Sequence, residues 1–107
     1  MYLSLIIPFY NEEKNLPFLV EKLNIFLLSI NKSTEIIFID DGSNDDGFEI
    51  LKNLIKDKND WRIIRFRKNF GQTAGWAAGI EHAQGDVIIF LDSDLANDPA
   101  DIPLLLA

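Results

Sequence analysis

The chain has 107 residues, 48% of them hydrophobic, which is enough for one compact domain around one core. It contains no cysteine, which excludes disulfides and thiolate metal sites, and its net charge of -7 argues against a nucleic-acid binder, whose footprint is basic. No apolar stretch approaches the roughly 20 residues of a membrane span, and Met1 leads straight into a strand-like run without the basic region of a secretory signal, so a cytoplasmic setting is the default expectation.

Residues 3–8 form a short apolar run that reads as a buried strand. Leu16, Leu19, Val20, Leu23, Leu27 and Ile30 then recur at helical spacing, with Pro17 in the first turn, where a missing N–H costs little. Residues 35–40, rich in isoleucine, predict a second strand. Ser43 with Asp46 three residues on resembles a capping box and predicts the start of a second helix, with Phe48, Leu51 and Ile55 on one face. Residues 61–66 predict a third strand, 71–84 a third helix closed by Gly85, and 86–91 a fourth strand; Pro99 opens a further helical stretch. Strands alternating with helices predict an α/β fold: a parallel sheet with helices on both faces and right-handed crossovers. The chain stops inside the apolar run Leu104, Leu105, Leu106, Ala107, whereas domain boundaries tend to fall in polar linkers, so a truncated C-terminus is expected.

In such sheets ligands bind beyond the carboxyl ends of the strands, at a switch in strand order. The first strand is followed by Pro8-Phe9-Tyr10-Asn11-Glu12-Glu13, with neither a Gly-x-Gly-x-x-Gly nor a P-loop. Tyr10 can stack on a base and Glu12 can accept a hydrogen bond from one; the plainer reading is a helix start with acids against the positive end of the dipole. After the second strand come Asp40-Asp41-Gly42-Ser43. Strand alternation sends the two carboxylates to opposite sides, one free to face the crevice and the other to brace the turn that Gly42 permits. After the fourth strand come Asp92-Ser93-Asp94, whose carboxylates share a side and suit Mn²⁺ or Mg²⁺ as hard oxygen donors. Such a cation can hold a diphosphate in a region that is otherwise acidic: seven of the ten basic residues lie between Lys52 and Lys68, and none follows. In the third helix Gly71, Gly75 and Gly79 each weaken the helix by about 1 kcal/mol relative to alanine, which points to close approach, to the sheet in preference to a ligand. His82 is read as answering the helix dipole, and Trp61 and Trp76 as packing residues.

Together these blocks resemble glycosyltransferase family 2. The resemblance is carried by Ile6 to Glu13, Ile39 to Ser43, Arg67 to Ala74 and Leu91 to Leu95, followed by Asn97-Asp98-Pro99-Ala100-Asp101-Ile102-Pro103, in the family's order and spacing. The nearest branch is that of dolichol-phosphate mannose synthase and bacterial polyprenyl-phosphate glycosyltransferases. The resemblance implies a GT-A (Rossmann-like) fold, of which residues 1–107 are the N-terminal nucleotide-sugar-binding part. It implies that Pro8, Tyr10, Glu12, Ile39, Asp40, Asp41, Asp92 and Ser93 bind the nucleotide, and that Asp92 and Asp94 are the catalytic acids that hold the Mn²⁺ or Mg²⁺ ion. It further implies inverting transfer from a UDP- or GDP-sugar to a lipid phosphate or saccharide, at the cytoplasmic face of a membrane reached through a part beyond Ala107. The branch commonly has glutamine two residues after the second metal aspartate; here Ala96 stands there. Two other readings are a donor-binding fragment without turnover and a receiver-like signalling module. The second is disfavoured because its acid pair would follow the first strand, where Pro8 stands, and because no lysine follows Lys68.

Overall fold

A computed structural model describes residues 1–93. Four strands, β1 (Leu3–Phe9), β2 (Thr34–Asp40), β3 (Trp61–Arg65) and β4 (Val87–Phe90), alternate with helices α1 (Leu16–Ser29), α2 (Gly47–Ile55) and α3 (Gln72–His82). The strands form one sheet in the order β3-β2-β1-β4, and every pairing is parallel. The chain steps outward from β1 to β3 and then returns to the other side of β1. The switch in strand order therefore lies between β1 and β4.

Alternation along the strands sorts the core into two layers. Leu3, Leu5, Ile7 and Phe9 of β1 and Ile36 and Phe38 of β2 share a cluster with Leu16, Leu19, Leu23 and Phe26 of α1 and Leu51 and Ile55 of α2. Ile6, Ile37 and Ile39 point the other way and pack with Trp76 and Ala78 of α3. Both faces of β1 and β2 are thus covered, which is why these strands read as continuous apolar runs rather than as an alternating pattern. Each such fully buried side chain contributes about 1.5–3 kcal/mol. Trp61 belongs to the first layer, and Trp76 stacks on Phe90 with ring centroids 5.1 Å apart, so both tryptophans pack.

The structure departs from two of the local expectations. The Ser43 hydroxyl does not cap α2. It accepts the N–H of Asn11 at 3.0 Å, α2 begins at Gly47, and Asp45 Oδ1 takes the Gly47 N–H at 2.9 Å. Gly85 does not close α3, which ends at Ala83 in extended backbone. Gly85 instead lies against β1, where a Cβ would sit 2.6 Å from Ser4 Oγ and 2.8 Å from the Leu3 carbonyl carbon. Two of the three glycines meet the sheet: a Cβ on Gly75 would stand 3.1 Å from Pro8, and one on Gly79 would overlap the buried Ile6 side chain. Gly71 does not: it precedes α3 at φ 96°, with nothing within 4 Å of a Cβ, so left-handed backbone and not close approach accounts for it.

A polar cluster locks the amino end of the sheet. Glu35, 3% exposed, accepts hydrogen bonds from Ser4 Oγ and the Gln84 N–H, both at 2.6 Å, and from Arg62 at 2.9 Å. The Gly85 N–H donates to Ser4 Oγ, and Arg62 also donates to the His82 carbonyl. One carboxylate thereby ties β1, β2, β3 and the turn after α3. Burial opposes ionisation of Glu35, but the Ser4 hydroxyl, the Gln84 N–H and the Arg62 guanidinium outweigh it and hold the carboxyl below its usual range.

Gly79→Ala is expected to lower stability by about 1–2 kcal/mol in urea unfolding, because Ile6 has no room to yield; a gain of about 1 kcal/mol, as helix propensity alone would give, would contradict the packing. Glu35 is deprotonated more readily in the folded state than in the unfolded one. Its contribution is therefore present in full above the unfolded pKa and is lost as pH falls through the folded pKa. Unfolding followed from neutral to acidic pH should show a shallower loss in Glu35→Gln than in the wild type across that window.

Candidate functional site

The carboxyl ends of β1, β2 and β4 meet the amino end of α3 at a cleft of about 260 Å³. Its walls are Pro8, Phe9, Tyr10 and Glu12 from the end of β1, Asp41 from β2, Gln72 from α3, and Asp92 and Ser93 from the segment after β4. The cleft sits where the strand order switches, so three separate strand ends supply its polar groups.

The loops around it are fastened to each other by side chains. Asn11, in left-handed backbone at φ 53°, accepts the Asn44 N–H through Oδ1 at 2.7 Å. Glu13 and the next loop exchange bonds: the Glu13 N–H donates to Asp45 Oδ2 and the Asp46 N–H to Glu13 Oε2, both at 3.1 Å. Tyr10 is 41% exposed while its hydroxyl accepts from Asn44 Nδ2 at 3.2 Å. The Glu12 carboxylate accepts from Asn15 Nδ2 at 2.6 Å and so remains beside the start of α1. The ring of Tyr10 is thus an exposed, tethered aromatic surface at the mouth of the cleft.

The two acids that end β2 diverge as strand alternation requires. Asp40 is fully buried toward α2; its Oδ1 accepts the Ser43 N–H at 2.8 Å, and Arg65 Nε lies 3.7 Å from Oδ2. Asp40 therefore braces its own turn, and it does not line the cleft. Neither does Ile39, which is fully buried beneath α3. Asp41 turns to the cleft side, and its carboxylate accepts the Phe70 N–H at 2.7 Å and the Gly71 N–H at 3.0 Å. A carboxylate that receives two backbone donors holds the β3–α3 loop in place and still carries lone pairs toward the cleft.

Asp92 is half-buried at the mouth, and Gln72 Nε2 donates to its Oδ1 at 3.1 Å. Ser93 is buried beside it. Asp94 lies outside the described residues, and with it the second acid of the proposed metal pair. Among the described residues no three acids or histidines gather into a metal site. What is present does fit a divalent cation in kind: a hard carboxylate donor at a strand end, oriented by a neutral amide.

Pro8, Tyr10, Glu12, Asp41, Asp92 and Ser93 are brought together in this one cleft, and Ile39 and Asp40 lie behind it. Phe9 and Gln72 also line the cleft and were not among the sequence candidates. Phe9 belongs to the core by alternation, so nothing in the sequence marks it as a cleft residue. Gln72 sat inside the 67–74 motif but carries no periodic or charge signal of its own.

Asp41→Asn replaces an acceptor oxygen by a donor facing an N–H. The expected cost is about 1–2 kcal/mol in urea unfolding, with faster hydrogen exchange at the Phe70 and Gly71 amides. Unchanged protection of both amides would show that the loop does not depend on this carboxylate.

Comparison with known proteins agrees with this fold. The chain is 43% identical over 104 residues to undecaprenyl-phosphate 4-deoxy-4-formamido-L-arabinose transferase of Pectobacterium atrosepticum, covering 96% of this chain and 32% of the relative. It is 39% identical over 107 residues to the enzyme of the same name from Pseudomonas savastanoi, covering 99% of this chain and 32% of the relative. The chain thus spans about a third of the length of the curated relatives it matches. Among solved structures, S. aureus TarS 1-349 superposes with a TM-score of 0.78 at 23% identity, over 99% of this chain and 32% of that one. The same protein in complex with UDP-GlcNAc gives a TM-score of 0.74 at 26% identity, over 88% and 27%. The mannosyltransferase PcManGT from Pyrobaculum calidifontis, in complex with GDP-Man and Mn²⁺, gives 0.73 at 20% identity, over 92% and 29%. These likenesses carry the expected GT-A parallel fold. The model of the family described as glycosyl transferase family 2 matches residues 4–107, and the strand-end motifs, the fold and the relatives agree that the chain belongs to it.

Proposed function

We propose that this chain is the donor-binding part of a glycosyltransferase that moves a sugar, with inversion, from a UDP- or GDP-sugar to a polyprenyl phosphate at the cytoplasmic face of a membrane. The observation that carries the reading is the convergence of Tyr10, Asp41, Asp92 and Ser93 on one cleft at the switch in strand order. The relatives' names supply the acceptor class, and the ligands of the structural neighbours supply the donor class.

In this reading the base lies between the ends of β1 and β2, against the exposed ring of Tyr10 and the cleft side of Asp41. The ribose and diphosphate run past Ser93 toward Asp92. Asp92, with Asp94 beyond the described residues, would hold a Mn²⁺ or Mg²⁺ ion, whose contribution when bound is to neutralise the charge of the departing diphosphate. An acceptor phosphate oxygen attacks the anomeric carbon from the face opposite the diphosphate; the bond to the diphosphate oxygen breaks, and the nucleotide diphosphate leaves with that electron pair. A phosphate acceptor is already anionic at neutral pH, so this chemistry asks less of a general base than a hydroxyl acceptor would. The cleft residues of this chain orient the donor and shield one side of it. A second reading, donor binding without turnover, is favoured by the share of the relatives that the chain spans, about a third of their length.

Calorimetric titration of UDP and of GDP, each with and without Mn²⁺, tests the proposal. One nucleotide should bind in a metal-dependent manner, and Asp92→Asn should weaken that binding by about tenfold or more while the chain stays folded. Metal-independent binding of equal strength in wild type and variant would remove Asp92 from the site.

A further inference from the structure

Gln72 is the residue of the cleft for which neither the strand ends nor the core accounts. It opens α3, and its side chain crosses the cleft to Asp92 Oδ1. The ladder between β1 and β4 ends at the Ile6–Phe90 pair, and the Leu91 N–H bonds the Ile6 carbonyl at 3.0 Å. Asp92 lies just beyond that bond, so the Gln72 amide is a contact that helps set the direction of its carboxylate.

The other end of this contact is rigid. The N–H groups of Phe70 and Gly71, immediately before Gln72, are both held by Asp41. One turn on, Gly75 sets α3 down on Pro8 and Ile39. The geometry points to Gln72 as a positioning residue that aims the Asp92 carboxylate at the cation, an assignment that rests on the metal reading of the cleft given above. An amide suits this task, because it donates a hydrogen bond without cancelling the negative charge that draws the metal, as a lysine or arginine would. The same two consecutive residues, Gly71 and Gln72, connect the acid at the end of β2 to the acid beyond β4. The two sides of the cleft are thus set by one piece of backbone.

The test uses the 107-residue chain and three variants: Gln72→Met, which keeps length and removes the donor, Gln72→Ala as its control for side-chain shape, and Asp92→Asn. Mn²⁺ affinity is measured without nucleotide by the paramagnetic resonance signal of the free ion, nucleotide affinity by calorimetry at saturating Mn²⁺, and folding by thermal melting. Both Gln72 variants should bind Mn²⁺ about three- to tenfold more weakly, with melting unchanged. Wild-type Mn²⁺ affinity in both Gln72 variants, alongside a loss in Asp92→Asn, overturns the role of Gln72 and leaves the metal reading standing. Nucleotide affinity at saturating Mn²⁺ that falls in both Gln72 variants, while Mn²⁺ affinity does not, also overturns it, since Gln72 would then act on the nucleotide and not on the cation. No loss in Asp92→Asn overturns the metal reading and the positioning role together.

Discussion

The Asp41 carboxylate is the interaction on which the cleft depends. A parallel sheet delivers all its strand ends to one edge, and each following loop carries backbone N–H groups that no strand pairs. Phe70 and Gly71 are two such groups, and Asp41 takes both. The loop after β3 is long enough to lie in many places; this carboxylate fixes it beside β2, and α3 then begins at a defined point above the end of β1. The placement of Gln72, the seating of Gly75 on Pro8 and Ile39, and the reach to Asp92 all follow from that starting point.

The same economy extends to the other loops. The acids and amides after β1 and β2, which look like ligand groups when read along the chain, spend much of their bonding capacity on each other: Asn11 on Asn44, Glu13 on Asp46, Asp45 on Glu13. At the opposite end of the sheet Glu35 performs a comparable service for the turn after α3. The sheet is pinned at both ends by buried or half-buried carboxylates, and the loops after β1, β2 and β3 are fastened to one another without a ligand. A pre-set cleft loses less ordering entropy on binding.

Much of this was legible in the sequence, for identifiable reasons. β1 and β2 are buried on both faces, so isoleucine and leucine run without interruption and announce themselves. α1 shows its apolar stripe at Leu16, Leu19 and Leu23, and the divergence of Asp40 from Asp41 follows from strand alternation alone. What stayed hidden depends on contacts between residues 30 to 81 positions apart. Ser43 resembles a helix cap until Asn11 is brought next to it. Gly85 resembles a helix terminator until Ser4 is seen to leave no room for a Cβ. Gln72 has no local signature, since its significance comes entirely from where the β3–α3 loop is anchored. Short-range chemistry could not separate Asp40 as brace from Asp41 as cleft wall, because that choice depends on which face of the sheet α3 covers.

The two acids of the cleft differ in how they are held. Asp41 accepts from two backbone donors, which fix the β3–α3 loop beside it. Asp92 accepts at Oδ1 from the Gln72 side-chain amide, a donor that can rotate. If the donor lies as proposed, its base meets the wall anchored by backbone, and its diphosphate meets the side of the cleft where a side-chain contact can give.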